Sequence, residues 1–410
     1  MKHATVIVVG AGQSGLAMSR ALSRRSIDHV VLERGTAGQS WRSERWDSLR
    51  LLTPNWANGL PGAPYNGLDP DGFMASGEMA NQLFHYAETI AAPILCNCRV
   101  SRCSFDGTRY RVDTSRATFT AEVVVIASGA AGKPHVPAIS GAVPGGILQI
   151  TPDHYRRPAD LPDGKVLVVG AAATGVQLAR ELHLSGRPVT LSVGSHVRLP
   201  RTYRGKDIEH WLDITGVLDQ STGEIDDVER ARRIPAPQLV GGGAIDLNSL
   251  QDIGVEIVGR FSDVRDGKAL FSGGLAHVTT AADLKMNRTL DLADDWVKEN
   301  GLGSADAAVR PGATSIPRDP RLTLDLEAEK VRTILWATGF RPDFSWLDLP
   351  VFDLRGRLRH EGGVCGLPGL YVLGLPFLRR RRSHQISGAE ADSTELAHHV
   401  AHYLDARRAA

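Results

Sequence analysis

Two glycine-rich turns and the residues that follow them are the best candidates for chemistry in this chain. The first reads Gly10-Ala11-Gly12-Gln13-Ser14-Gly15, at G-x-G-x-x-G spacing. In such a turn the first glycine permits a sharp bend, the second lets backbone approach a pyrophosphate, and the third lets helix pack on strand. The phosphates then meet free N–H groups at a helix N-terminus, where the helix dipole favours negative charge. Glu33, followed by Arg34, ends the next apolar run, where a carboxylate accepts hydrogen bonds from ribose hydroxyls. The second turn, Gly170-Ala171-Ala172-Ala173-Thr174-Gly175, nearly repeats the first, with Ala172 at the middle glycine's place. Its Cβ should hold a pyrophosphate slightly further from the backbone. The run after it ends in Ser192 instead of an acid and is followed by Arg198, Arg201 and Arg204. A missing carboxylate with guanidinium groups nearby suits a 2′-phosphate. The first turn is therefore expected to take FAD or NAD and the second NADP. The other reading of Arg198 to Arg204 is a solvated basic loop.

The elements that must hold these turns are legible around them. Val6-Ile7-Val8-Val9 reads as a strand buried on both faces, and Leu16, Ala17, Ala21 and Leu22 keep helical spacing after the turn. Val166 to Val169 and then Val176, Leu178, Ala179 and Leu182 repeat that order. Two further apolar runs end in small residues, Val123 to Gly129 and Ile334 to Gly339, and each should bring a turn against a bound dinucleotide. Asp106-Gly107 and Asp266-Gly267 signal hairpins. Ala281 to Asn300 has helical character, Gly301 to Arg321 is loop-rich, and Leu370 to Gly374 is the last strand. Ser387 to Glu390 resembles a capping box that opens a C-terminal helix. The expected class is α/β, with two nested Rossmann-like dinucleotide-binding domains.

Composition bounds the partners. Lys plus Arg is 47 and Asp plus Glu is 46, a formal charge of +1. A nucleic-acid binder or membrane-surface protein needs a basic excess, so neither partner is expected. No run of ~18 apolar residues suggests a membrane span. No signal peptide is read before Val6, and a cytoplasmic location is the default. Cys96, Cys98, Cys103 and Cys365 form no C-x-x-C pair and are expected to be reduced structural thiols, with Cys96 and Cys98 two apart on a candidate strand. His398 and His402 are four apart on the last helix, but no H-E-x-x-H accompanies them, and no metal site is expected. Arg379 to Arg382 precede that helix, either to grip a nicotinamide phosphate or an anionic substrate, or as a solvated basic loop. G-x-S-x-G is absent, so no serine nucleophile is read.

The paired turns, the Ala337-Thr338-Gly339-Phe340 segment and the closing helix resemble a two-dinucleotide-binding flavoprotein. More closely, the chain resembles the flavin-containing monooxygenase family, including its bacterial and YUCCA-type branches. Gly38-Gln39-Ser40-Trp41-Arg42, running on through Trp46 to Leu51, is similar to that family's G-x-x-W-R segment. The resemblance implies FAD on the first fold (1–158 and 329–410) and NADPH on an inserted second fold (159–328). It also implies FAD contacts from Ser40, Trp41, Gly129, Gly339 and Gln385, and a hydrogen-bonding role for Asn55 or Thr53 in catalysis. The chain departs from the family's F-x-G-x-x-x-H-S/T-x-x-Y segment, because Gly145 to Tyr155 has its histidine at 154, beside the tyrosine. The implied reaction is NADPH-driven reduction of FAD and transfer of one oxygen of O2, through a flavin C4a-hydroperoxide, to a small-molecule substrate at a soft nitrogen or sulfur or an activated carbon. The alternatives are an NADPH-dependent flavoprotein reductase or oxidase without oxygenation, and a nucleotide-sensing regulatory module.

Overall fold

The computed structural model describes residues 2–301 and 307–409, so residues 302–306 of the loop-rich stretch lie outside the described residues. β1 (Lys2–Val9), α1 (Gln13–Ser23) and β2 (His29–Leu32) form the first strand–helix–strand unit. The short α2 (Gln39–Ser43) and the longer α3 (Ser76–Thr89) follow, and β3 (Thr118–Ile126) returns beside β1. Next come β4 (Leu148–Ile150), β5 (Lys165–Val169), α4 (Ala173–Leu184) and β6 (Val189–Ser192). The chain continues through α5 (Ile208–Ile214), β7 (Glu256–Val258), α6 (Leu275–Glu299) and β8 (Val331–Trp336). β9 (Leu370–Val372) and α7 (Ala389–Ala409) end it.

These strands form two separate sheets, the largest among the described residues. In the first, Ile94–Leu95, β2, β1, β3 and β9 run parallel in that order, with antiparallel strands beyond β9 and a hairpin on β3. Val6, Ile7 and Val8 are wholly buried, as a parallel strand covered on both faces must be. α1 packs against α7, and Leu16, Leu22, Leu396 and Val400 share the first core. The second sheet has the order β7, β6, β5, β8, β4, all parallel. The fold is thus α/β with two Rossmann-like units, as expected.

The second sheet draws strands from beyond the expected boundaries at 158 and 328. β4 lies before the first and β8 after the second, yet both belong to the second sheet. β8 is held there by pairing of Ile334 and Leu335 with Leu167 and Val168 on one side and with Gln149 and Ile150 on the other. Its Trp336 packs edge-on against Phe261, 5.6 Å between ring centres. Other expectations shift by small amounts. The Asp266-Gly267 hairpin is present, both residues at positive φ, and α6 starts at Leu275, ahead of Ala281. The strand expected to carry Cys96 and Cys98 stops at Leu95, because Asn97 turns the chain at φ +50°. All four cysteines are free thiols. Among the described residues no helix is long and apolar enough to cross a membrane.

Candidate active site

The first glycine turn sits at the C-terminal edge of the first sheet, where β1 passes into α1. Gly10 has φ +108°, and a Cβ there would lie 2.6 Å from the carbonyl oxygen of Ala127 at the end of β3. A Cβ on Gly15 would overlap the carbonyl of Gly10, so the helix closes onto the strand only with glycine there. Gly12 is different, because nothing lies within 4 Å of where its Cβ would be. It caps α1 with no side-chain partner and borders a cleft of about 340 Å³. Gln13, Ser14, Glu33, Arg34, Ser40, Trp41 and Gly129 also line that cleft. Glu33 is buried, and its two oxygens accept from the backbone N–H groups of Ala11 (2.8 Å) and Gly35 (2.9 Å). Those bonds fix the carboxylate while leaving a lone pair on each oxygen for a ligand hydroxyl. Arg34 pairs with Glu44, and Arg45 stacks over Trp41 at 5.3 Å.

The second turn repeats this construction. Gly170 has φ +111°, a Cβ on it would overlap the carbonyl of Ala337, and one on Gly175 would overlap the carbonyl of Gly170. Ala337 ends β8 as Ala127 ends β3, and Gly339 (φ +89°) corresponds to Gly129 (φ +81°). Ala172 caps α4 in extended conformation without a side-chain bond, and Thr174 is half-buried beside it. The carbonyl of Ala236 approaches the N–H of Ala173 at 3.4 Å, and the Gln238 side chain donates to the carbonyl of Ala171 at 2.9 Å. The segment 236–238 therefore lies over this turn.

Several residues with expected ligand roles are placed in the framework instead. Ser192 is buried, donating to the carbonyl of Gly259 (3.0 Å) and accepting from the N–H of Phe261 (2.8 Å). Arg198 is also buried, and its guanidinium donates to Asp283, Asp246 and the carbonyl of Gly312, each within 2.7 to 2.8 Å. Arg201 pairs with Asp207 at 2.5 Å, donates to the carbonyl of Leu52 and stacks over Phe73. Neither arginine is a solvated loop residue. Exposed Arg260 instead places its guanidinium beside Gly194, just after β6. Asn55 uses both ends of its amide, accepting from the N–H of Met74 (2.9 Å) and donating to the carbonyl of Asp69 (2.8 Å). Thr53 donates to the Asn58 side chain at 2.6 Å. Both therefore shape the loop from 53 to 74. Gln385 is half-buried, with its Oε1 shut off from solvent and without a partner.

A second cavity of about 500 Å³ lies between the loop after Thr53, α5 and the start of α7. His384 lines the first cleft, while Ser387 and Glu390, a few residues on, line the second. Its other walls come from Trp56 in the loop after Thr53 and from Glu209 and Asp213 on α5. The run Arg379 to Arg382 beside it is neither a solvated loop nor free to grip a ligand. Arg379 pairs with Glu395, Arg380 with Asp392 and Glu395, and Arg382 with Asp213 and Asp219. Arg381 donates to Gln220 and stacks on Phe377.

Comparison with known proteins agrees with this geometry. The family model described as pyridine nucleotide-disulphide oxidoreductase matches residues 7–213. The chain belongs to that family. It is similar to the uncharacterized oxidoreductase CzcO-like of Geobacillus kaustophilus, 31% identical over 98% of this chain and 99% of that protein. A Baeyer-Villiger monooxygenase of Streptomyces coelicolor is 31% identical over 43% of this chain and 35% of its own length. Among solved structures, a flavin-containing monooxygenase from Stenotrophomonas maltophilia shares the fold, with TM-score 0.68, 20% identity, and 98% of this chain and 100% of that one covered.

This protein is therefore an oxidoreductase, and its fold is in keeping with the flavin-containing monooxygenase resemblance read from its sequence. The first cleft fits FAD: the open face of Gly12, the uncapped start of α1 and the fixed Glu33 carboxylate meet a pyrophosphate and a ribose together. The α4 turn shares with the first its tight glycines and a helix start free of side-chain caps, which suit the pyrophosphate of NADPH, but it has Ala172 in place of the open glycine and no carboxylate at the end of β6. Sequence reasoning missed Gly374 and Glu209. A side chain at Gly374 would overlap the Ser14 hydroxyl in the cleft, and its place directly after the last strand was a readable signal. Nothing local marks Glu209, since its surroundings are assembled from three distant segments.

Proposed function

We propose that this protein is an NADPH- and FAD-dependent monooxygenase, located in the cytoplasm, that places one atom of O2 on a small molecule bearing a soft nitrogen or sulfur or an activated carbon. The observation that carries the reading is a dinucleotide cleft and a second, substrate-sized cavity whose walls both draw on the segment 384–390. Bound FAD supplies electron transfer from NADPH and activation of O2. The chain's own groups do the rest. Glu33 holds ribose hydroxyls, the α1 N–H groups hold phosphate, and Gly10 and Gly15 let strand and helix close to that spacing. The N-terminus of α7, a helix of 21 residues, offers positive charge beside the second cavity, whose wall includes Glu390. Arg260, exposed next to Gly194, supplies the cation for a 2′-phosphate at the end of β6, since Arg198 and Arg201 are already engaged. The absence of a C-x-x-C pair removes a dithiol relay as the alternative destination for the electrons.

The test is turnover with NADPH and isotopically labelled O2 over a panel of amine and sulfide probes. A product carrying one labelled oxygen supports the reading. Conversion of all consumed NADPH to peroxide, unchanged by every probe, overturns it in favour of an oxidase. That second reading is favoured by the 145–155 segment, where the family's histidine is out of register, and by Ala172 at the place of the middle glycine.

A further inference from the structure

The cavity between Trp56, α5 and the start of α7 contains a group the dinucleotide chemistry leaves unused. Glu209 lies on its wall, is 7% exposed, and has an Oε1 sealed from solvent with no hydrogen-bond partner. Its position is fixed from behind, because the Asp207 side chain accepts the N–H of Glu209 at 2.8 Å and caps α5. A buried carboxylate without a partner is costly unless something supplies a donor. Neighbouring charges do not fill that role. Asp213 and Asp219 hold Arg382, and Asp207 holds Arg201. Among the described residues neither Glu209 nor Glu390, the other free acid on the cavity wall, has an ion-pair partner. The lining thus carries three carboxylates against one arginine that is already neutralised. Half-buried Trp56 adds an aromatic face, which attracts organic cations.

We infer that this cavity is a binding site for a protonated amine, with Glu209 as its counter-ion. An ammonium N–H donates to the unpartnered Oε1 while the carbon chain lies against Trp56. The binding claim stands on the cavity itself, and only its meaning as the substrate site rests on the proposed function. Glu209 also suits the next requirement, because a nitrogen bound as ammonium has no lone pair to give. Passing its proton to Oε1 breaks an N–H bond, forms an O–H bond and leaves the electron pair on nitrogen, with no oxidant or reductant involved. Burial pushes the Glu209 carboxyl up to about 7, reinforced by Asp207 and Asp213 and opposed by Arg201 and Arg382, so it holds a proton more readily than an ordinary carboxylate. Glu390, from α7, faces the same cavity.

Calorimetric titration of the FAD-loaded protein with benzylamine and with the neutral benzyl alcohol tests the site. Wild type is expected to bind the amine at least about tenfold more tightly, the worth of one charge-assisted hydrogen bond. Glu209→Gln should bring the two within about twofold of each other, and Glu209→Asp should keep the preference for the amine. Equal affinities in wild type, no amine binding in wild type, or an unchanged preference in a folded, flavin-loaded Glu209→Gln protein would overturn the inference. Bleaching by NADPH, recorded on the same samples, reports separately on the proposed function. A wild type that binds benzylamine yet does not bleach contradicts that function and leaves the site standing.

Discussion

At Glu209 the surroundings set a pH dependence whose sign can be worked out. Its carboxyl titrates at about 7 when folded and near 4.5 when unfolded, so the native state keeps a proton that the unfolded chain has lost. The stability this confers is complete below the lower value and disappears as pH rises through the upper one. Wild type should therefore lose stability relative to Glu209→Gln between about pH 4.5 and 7 and hold a constant deficit above that. Thermal midpoints of the two proteins across that range check it, and a difference independent of pH would contradict it. Among the arginines, burial separates structural from ligand-facing roles. Arg198→Ala strips the partner from Asp246 and Asp283 and should cost about 3 kcal/mol of stability, read by denaturant titration. Exposed Arg260→Ala should leave stability unchanged while weakening NADPH binding about tenfold and NADH binding little, read by quenching of protein fluorescence.

At the scale of elements, α7 is anchored by the basic run before it. Arg380 pairs with Asp392 at 3.0 Å, and that aspartate is 1% exposed. Arg380→Ala removes the guanidinium paired with that buried charge, so a loss of about 3 kcal/mol is expected, with looser flavin retention because α7 follows His384, which lines the cleft. A melting curve and the flavin content after dialysis measure both. This role was not legible in the sequence, where four arginines read equally well as a ligand grip or a solvated loop. The difference was decided by Asp213, Asp219 and Glu395, which only the fold brings near. What was legible is local: a strand, a glycine turn and a helix in one short stretch dictate one another by steric contact, and both turns folded as read. The sheet partner of β8 was not local. Its apolar run fits either sheet, and register with β5 and β4 placed it in the second. Asn55 misled for a related reason, since its partners Asp69 and Met74 lie across a loop whose path no pattern shows.

Across the whole molecule, the near-zero charge is an average over matched clusters, with acids facing the 379–382 arginines and a carboxylate at the first ribose position. The two folds are also fastened together beside the cleft. Trp46 from the first is buried in the core of the second, the Ser48 hydroxyl meets Glu181, and Arg201 reaches the carbonyl of Leu52. The junction between the two folds is thus already held in place, and the walls of the Glu209 cavity come from both sides of it. The measurement that tests this account most directly is the absorbance spectrum of the purified protein before and after NADPH, without oxygen and then in air. The account predicts a bound oxidised flavin that NADPH bleaches and air restores. A folded protein that carries no flavin and takes up none from added FAD would contradict it.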